Sequence, residues 1–151
     1  MERSTSAESS YVKFRVLVAD DEHVIADTLV IILNGSGFEA SAVYSGEMVI
    51  EAAKRLKPHM LISDVVMPDM NGIDAAIQVR KILPDCKILL FSGQAATANL
   101  LSRAQEQGCD FEILTKPVHP QDILARVSAM SDLIAAQTSS SAVPQPAPPA
   151  A

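Results

Sequence analysis

The stretch Phe14-Arg15-Val16-Leu17-Val18-Ala19-Asp20-Asp21-Glu22 decides how the rest of the chain is read. A short apolar run with β-branched residues, bounded by charge, reads as a buried strand. The same figure returns twice. His59-Met60-Leu61-Ile62-Ser63 stops at Asp64, and Phe111-Glu112-Ile113-Leu114-Thr115 stops at Lys116-Pro117. Near-continuous apolar strands belong to parallel sheets covered on both faces. In an open parallel sheet the strand ends lie along one edge, where such folds bind ligands. Asp20, Asp21, Asp64 and Lys116 therefore gather at one edge. Three carboxylates and an ammonium there suit a divalent cation and a phosphoryl group.

Between these strands the apolar spacing changes to that of helices. Val24, Ile25, Leu29, Ile32 and Leu33 are spaced for one helix face, stopped by Gly35 and Gly37. Residues 38–43 read as a second strand and 46–56 as a helix ended by Pro58. After the strand at 59–63 and the turn Met67-Pro68-Asp69-Met70-Asn71-Gly72, Ile73, Ala76, Ile77 and Leu83 mark a helix closed by Pro84. Residues 87–91 form a fourth strand, 98–107 a helix ending at Gly108, and 111–115 the fifth strand. A last helix begins near Pro120, a favoured first-turn residue, and carries the stripe Ile123, Val127, Met130 and Ile134. Strands alternating with helices imply an α/β fold with right-handed crossovers. The expected architecture is a doubly wound, flavodoxin-like parallel sheet of five strands in order 2-1-3-4-5, with helices on both faces. In that order strands one and three are neighbours, so Asp20, Asp21 and Asp64 share the crevice where the winding reverses.

Composition narrows the class. The chain has 151 residues, 48% hydrophobic but only 4% aromatic and without Trp, so its core is aliphatic. A formal net charge of −6 argues against a nucleic-acid surface, which needs a basic stripe, and leaves a protein partner open. Cys86 and Cys109 read as two thiols rather than a disulfide framework. No apolar run approaches the roughly 20 residues that span a bilayer, and the polar first ten residues hold no secretory signal. A soluble, cytoplasmic protein without membrane insertion is expected. Residues 1–11 read as a flexible arm and 12–136 as one domain. Residues 137–151 read as a disordered Ser-, Pro- and Ala-rich tail containing Pro144, Pro146, Pro148 and Pro149.

These residues together resemble the receiver domain of two-component response regulators, of the single-domain, chemotaxis-regulator kind. Asp20-Asp21-Glu22 resembles that family's acidic cluster after the first strand. Asp64-Val65-Val66-Met67-Pro68-Asp69-Met70-Asn71-Gly72 resembles its phosphoaccepting aspartate and the turn that follows. Ser92 occupies the Ser/Thr position at the end of strand four, and Lys116-Pro117 the Lys-Pro step, often cis. The likeness covers roughly residues 12 to 135. Four pieces in order, each at a strand end, make it specific where any one alone would be weak.

The resemblance implies a stand-alone response regulator of a phosphorelay, not an enzyme. Its phosphoacceptor would be Asp64, loaded by a sensor histidine kinase or a histidine phosphotransfer protein. Mg²⁺ is a hard cation that takes oxygen ligands, commonly one or two carboxylates. Asp21 and Asp64 would coordinate it directly and Asp20 through a bound water, with the backbone carbonyl of Val66 as a third protein ligand. Lys116 would offset phosphoryl charge, and Ser92 would donate to the phosphoryl group. Phosphorylation would bias a two-state equilibrium over the fourth helix, fifth strand and fifth helix. The output would be contact with a downstream protein, as a monomer or a phosphorylation-dependent dimer.

Each residue also has a plainer reading. Asp20-Asp21-Glu22 alone is a helix start with first-turn acids, but three clustered carboxylates repel and call for a cation. Asp64 alone is a solvated turn residue, Lys116 a surface lysine, and Ser92 before Gly93 a turn former. His23, His59 and His119 share no helical face with a second ligand. Two departures from the family stand out. Ile113 replaces the usual aromatic residue three before the lysine, with Phe111 on the same face by strand period. Val66, two beyond Asp64, offers no polar side chain to an attacking water, although Gln94, two beyond Ser92, could orient one. The competing readings are a pseudo-receiver acting unphosphorylated and a phosphoaspartate-dependent phosphatase or phosphotransferase. The latter would need a general acid near Asp64 and a cap, for which the chain has no insertion.

Overall fold

The computed structural model describes residues 13–93, 102, 105, 106, 108 and 111–142, with side chains to 135. Its five strands are β1 (Arg15–Ala19), β2 (Glu39–Val43), β3 (Met60–Asp64), β4 (Lys87–Ser92) and β5 (Glu112–Thr115). The helices are α1 (His23–Gly35), α2 (Gly46–Leu56), α3 (Gly72–Ile82) and α4 (Pro120–Ala142). All strand pairs are parallel, in the order β2-β1-β3-β4-β5. This is the doubly wound α/β sheet that the alternation implied. The helix expected over 98–107, the arm at 1–11, Gln94 and Cys109 lie outside the described residues, apart from Ser102, Gln105 and Glu106 of that helix.

Strand period divides the core. Leu17, Ala19, Leu61, Ile88 and Leu90 point to one face and pack with Val49, Ala52 and Ala53 of α2 and Ile73, Ala76 and Ile77 of α3. Val16, Val18, Ile62 and Leu89 point to the other face and are equally buried. α1 buries Ala26, Leu29 and Leu33, none of which belongs to the first cluster. Here the expected stripe needs correction, because Val24 and Ile25 are exposed. α1 is apolar on more than one side, and the small Ala26 takes the inward position.

The helix ends are set by named side chains. Ser45 caps α2 by accepting from the Met48 N–H, and Asn71 caps α3 by accepting from the Asp74 N–H at 2.8 Å. At the far end of α2, Lys57 adopts φ 49°, a left-handed conformation that costs a residue with a side chain. The Arg15 guanidinium reaches across from β1 to hold it, with Nη2 donating to the Lys57 carbonyl at 2.7 Å and Nε to that of Leu56 at 3.0 Å. At the outer edge of the sheet, the Asn34 side chain accepts from the Ala40 N–H at 2.9 Å and donates to the Ala40 carbonyl at 3.3 Å.

The described residues from 119 to 142 belong to a unit of their own. In α4, Ile123 and Val127 are buried and Met130 and Ile134 half-buried, following the expected stripe. The helix runs to Ala142, so residues 137–142, read as the start of the tail, are helical. Nothing between Gln137 and Ala142 breaks a helix, and the first proline comes only at Pro144. Among the described residues, no helix is long and apolar enough to cross a membrane.

Candidate functional site

Parallel register brings the strand ends together. Ala19 pairs with Ser63, Asp64 with Phe91, and Ser92 with Thr115, so Asp20, Asp64, Ser92 and Lys116 follow one another along the sheet edge. Asp64 and Ser92 are the last residues of β3 and β4 rather than the first residues of loops. Strand hydrogen bonding therefore holds both. The Val65 N–H donates to the Phe91 carbonyl at 3.0 Å, and the Lys116 N–H to the Ser92 carbonyl at 2.9 Å.

Asp20 forms the floor of the site. It is 1% exposed, and its Oδ1 accepts from the Glu22 N–H at 2.9 Å. Its Oδ2 is buried without a hydrogen-bond partner. Burial is the main reason its carboxyl is pushed up to about 6; the charges of Asp64 and Asp21 push the same way, while the Glu22 N–H and Lys116 oppose them. Asp21 is exposed at the rim. Carboxylate oxygens of Asp20, Asp21 and Asp64 lie within 4.8 Å of one another. Lys116, preceding a cis Lys116–Pro117 bond, places Nζ 3.1 Å from Asp64 Oδ1.

These residues fit a hard divalent cation. All three side chains offer oxygen, two are buried, and one buried oxygen is left without a donor. An unpaired polar atom inside a protein is costly. A cation among the three carboxylates would supply the missing partner and relieve their repulsion. Among the described residues, this is the group of His, Cys, Asp or Glu placed to share an ion. The histidines are engaged elsewhere: His23 stacks on Tyr44 at 3.8 Å, His59 on Phe14 at 5.1 Å, and His119 Nδ1 accepts from the Gln121 N–H. Cys86 is a buried free thiol, pushed up to about 12 chiefly by burial.

Around Asp64, packing is tight. Ser63 Oγ donates to the Asp64 carbonyl at 2.9 Å, and the Gly72 N–H to the Val65 carbonyl at 2.7 Å. A Cβ on Gly72 would overlap the Asp64 carbonyl oxygen, so only glycine fits there. Val66 stands 56% exposed beyond Asp64. Ile113 and Phe111 both pack against the core cluster shared by α2 and α3, as the strand period implied. The Arg80 guanidinium lies over the Phe111 ring, 5.4 Å from its centre.

Sequence reasoning passed over Asp69. Its Oδ1 accepts from the Gly46 N–H at 3.1 Å and its Oδ2 from the Glu47 N–H at 2.9 Å, at the start of α2. A carboxylate in a Pro-Asp turn hinted at a capping role, but its spacing did not say which helix it meets.

The sequence matches the family model of the response regulator receiver domain over residues 16–128. It is 32% identical to the chemotaxis protein CheY of Thermotoga maritima over 118 residues, covering 78% of this chain and 97% of that protein. It is 31% identical to the DNA-binding response regulator MtrA of Mycobacterium tuberculosis over 115 residues, 76% of this chain. The chain spans about half the length of such DNA-binding relatives. A CheY-like receiver domain protein from Methanospirillum hungatei has the same fold, with a TM-score of 0.73 at 24% identity over 80% of this chain and 95% of that one.

Proposed function

The chain belongs to the response regulator receiver domain family, and on that premise we propose that it is a phosphorylation switch with Asp64 as acceptor. The donor is the phosphohistidine of a sensor histidine kinase or a histidine phosphotransfer protein. A carboxylate oxygen of Asp64 forms a bond to phosphorus as the phosphorus–nitrogen bond breaks. The electron pair returns to the donor imidazole, which takes a proton from solvent. Such transfer depends chiefly on positioning and charge stabilisation.

The observation that carries this reading is the buried Asp64 carboxylate with the Lys116 ammonium 3.1 Å away and an unpaired Asp20 oxygen in the same acidic group. Asp20, Asp21, Asp64 and the backbone carbonyl of Val66 would hold Mg²⁺, which when bound neutralises charge on the transferred group. Lys116 keeps its ammonium directed at the acceptor, and Ser92 stands at the neighbouring strand end as a hydroxyl donor to the arriving oxygens. The domain acts as substrate and switch rather than as an enzyme, in the cytoplasm. Its output is read as a protein contact, in keeping with a formal net charge of −6, which suits a nucleic-acid surface poorly.

The test is incubation with a small acyl phosphate and Mg²⁺, followed by intact mass. A gain of one phosphoryl group is expected, lost in Asp64→Asn and on chelation of the metal. No gain, or a gain that persists in Asp64→Asn, overturns the assignment.

A further inference from the structure

We propose that Asp69 is a positioning residue for the acceptor site, acting by tying the loop between β3 and α3 to the start of α2. The inference rests on the phosphoacceptor reading and extends it to a residue that touches none of the reacting atoms.

The loop over 65–71 leaves Asp64, carries Val66 and ends at Asn71. Its two ends are fixed locally: the Gly72 N–H meets the Val65 carbonyl, and Asn71 caps α3. Its outer turn is held by a different element. Each Asp69 oxygen takes one N–H from the first turn of α2, 22 or 23 residues earlier. The first N–H groups of a helix lack partners within it and favour a negative charge. Donation from the Glu47 N–H, helped by that of Gly46, holds the Asp69 carboxyl below the usual carboxylate range. The approach is close, since a Cβ on Gly46 would come within 2.7 Å of the Met70 Cβ and carbonyl oxygen.

The direction of the effect follows from Ser45. α2 already has its own cap, with Ser45 accepting from the Met48 N–H at 3.2 Å. A second cap supplied from outside adds less to the helix than to the segment that supplies it. That segment contains Val66, whose carbonyl is an expected metal ligand. With Asp69 in place the loop is ordered before a cation arrives; without it, binding must also supply the ordering.

The experiment titrates Mg²⁺ calorimetrically into wild type, Asp69→Ala, Asp69→Asn, Ser45→Ala and Asp64→Asn, with metal-free melting curves beside each. Asp69→Ala is expected to weaken binding roughly three- to tenfold, the range that loss of a capping carboxylate implies. Asp69→Asn, which keeps one acceptor oxygen, falls between it and wild type. Ser45→Ala weakens α2 without touching the loop and binds as wild type does. Unchanged affinity in Asp69→Ala, or an equal loss in Ser45→Ala, overturns the proposal. If Asp69→Ala melts below the assay temperature, Asp69→Asn carries the comparison, with about a twofold loss expected and none overturning it. A wild type that binds no Mg²⁺, or an Asp64→Asn that binds equally well, overturns the underlying site assignment instead.

Discussion

Lys116 Nζ lies 3.1 Å from Asp64 Oδ1, joining the residue after β5 to the last residue of β3 across the width of β4. The carboxylate is nearly buried while the lysine side chain is 37% exposed, so the pair is only partly screened by water. The ammonium that neutralises Asp64 would compete with a cation for its oxygens. Lys116→Ala is therefore expected to bind Mg²⁺ several-fold more tightly. It should also accept phosphoryl groups at least about tenfold more slowly, having lost a charge aimed at the transferred group. Calorimetry and the initial rate of mass gain check the two halves; weaker Mg²⁺ binding would show that no competition exists.

Asp20 gives a pH dependence whose sign is unusual for a carboxylate. Its folded value, about 6, lies above the ordinary 3.8, so the metal-free fold binds this proton more tightly than the unfolded chain does. Its contribution is most favourable below pH 4 and is lost as pH rises through about 6. Asp20→Asn keeps the shape without the buried charge, and at pH 7 it should exceed wild type in stability by about 1–3 kcal/mol. Urea midpoints at several pH values in chelator test this. The gap between the two proteins must widen from pH 4 to pH 7.

His59 acts in the opposite direction and needs its own variant. Its Nδ1 accepts from the Arg15 N–H at 2.8 Å, and burial, then the Arg15 charge, lowers its pKa. A base lowered in the fold contributes stability above its unfolded value, near 6.5, and loses it as pH falls below. His59→Asn retains an acceptor oxygen and cannot protonate. Between pH 7 and pH 5, wild type should lose stability relative to this variant; parallel pH curves would refute the role.

Val66 is expected to prolong the phosphorylated state of Asp64. Exposed beside Asp64, its side chain has no polar atom with which to hold an attacking water. Val66→Asn introduces one, and loss of the phosphoryl group should quicken by roughly several-fold to tenfold. Following the phosphorylated mass after removal of the donor decides the matter, and an unchanged half-life counts against it.

Gly72 is tightly constrained beside Asp64. Gly72→Ala would drive a methyl group into the Asp64 carbonyl oxygen, so strand end and helix start must part. A loss of about 2 kcal/mol or more is expected from denaturant midpoints, in line with other overpacked sites. A change below about 0.5 kcal/mol would mean that the loop yields without strain.

The strands and the site edge were legible because buried parallel strands leave an apolar signal that ends on charge. Boundaries moved by a residue: Asp64 and Ser92 read as lying at or just past strand ends and are strand residues, since pairing with Phe91 and Thr115 extends each ladder. On α1, apolar residues occupy several faces, and periodicity alone could not prefer Ala26 over Val24 and Ile25. The partners of Asp69 and Arg15 could not be read from the sequence. Each contact links a side chain to backbone groups 22 to 42 residues away, and neither period nor composition encodes such pairings.

Asn34 has a consequence for the sheet edge at Ala40. The outer edge of β2 would otherwise present the Ala40 amide and carbonyl as a template for a strand from another molecule. One side-chain amide occupies both groups. An incoming strand therefore finds neither group of Ala40 free, a protection that natural sheet edges often obtain from charge or proline instead.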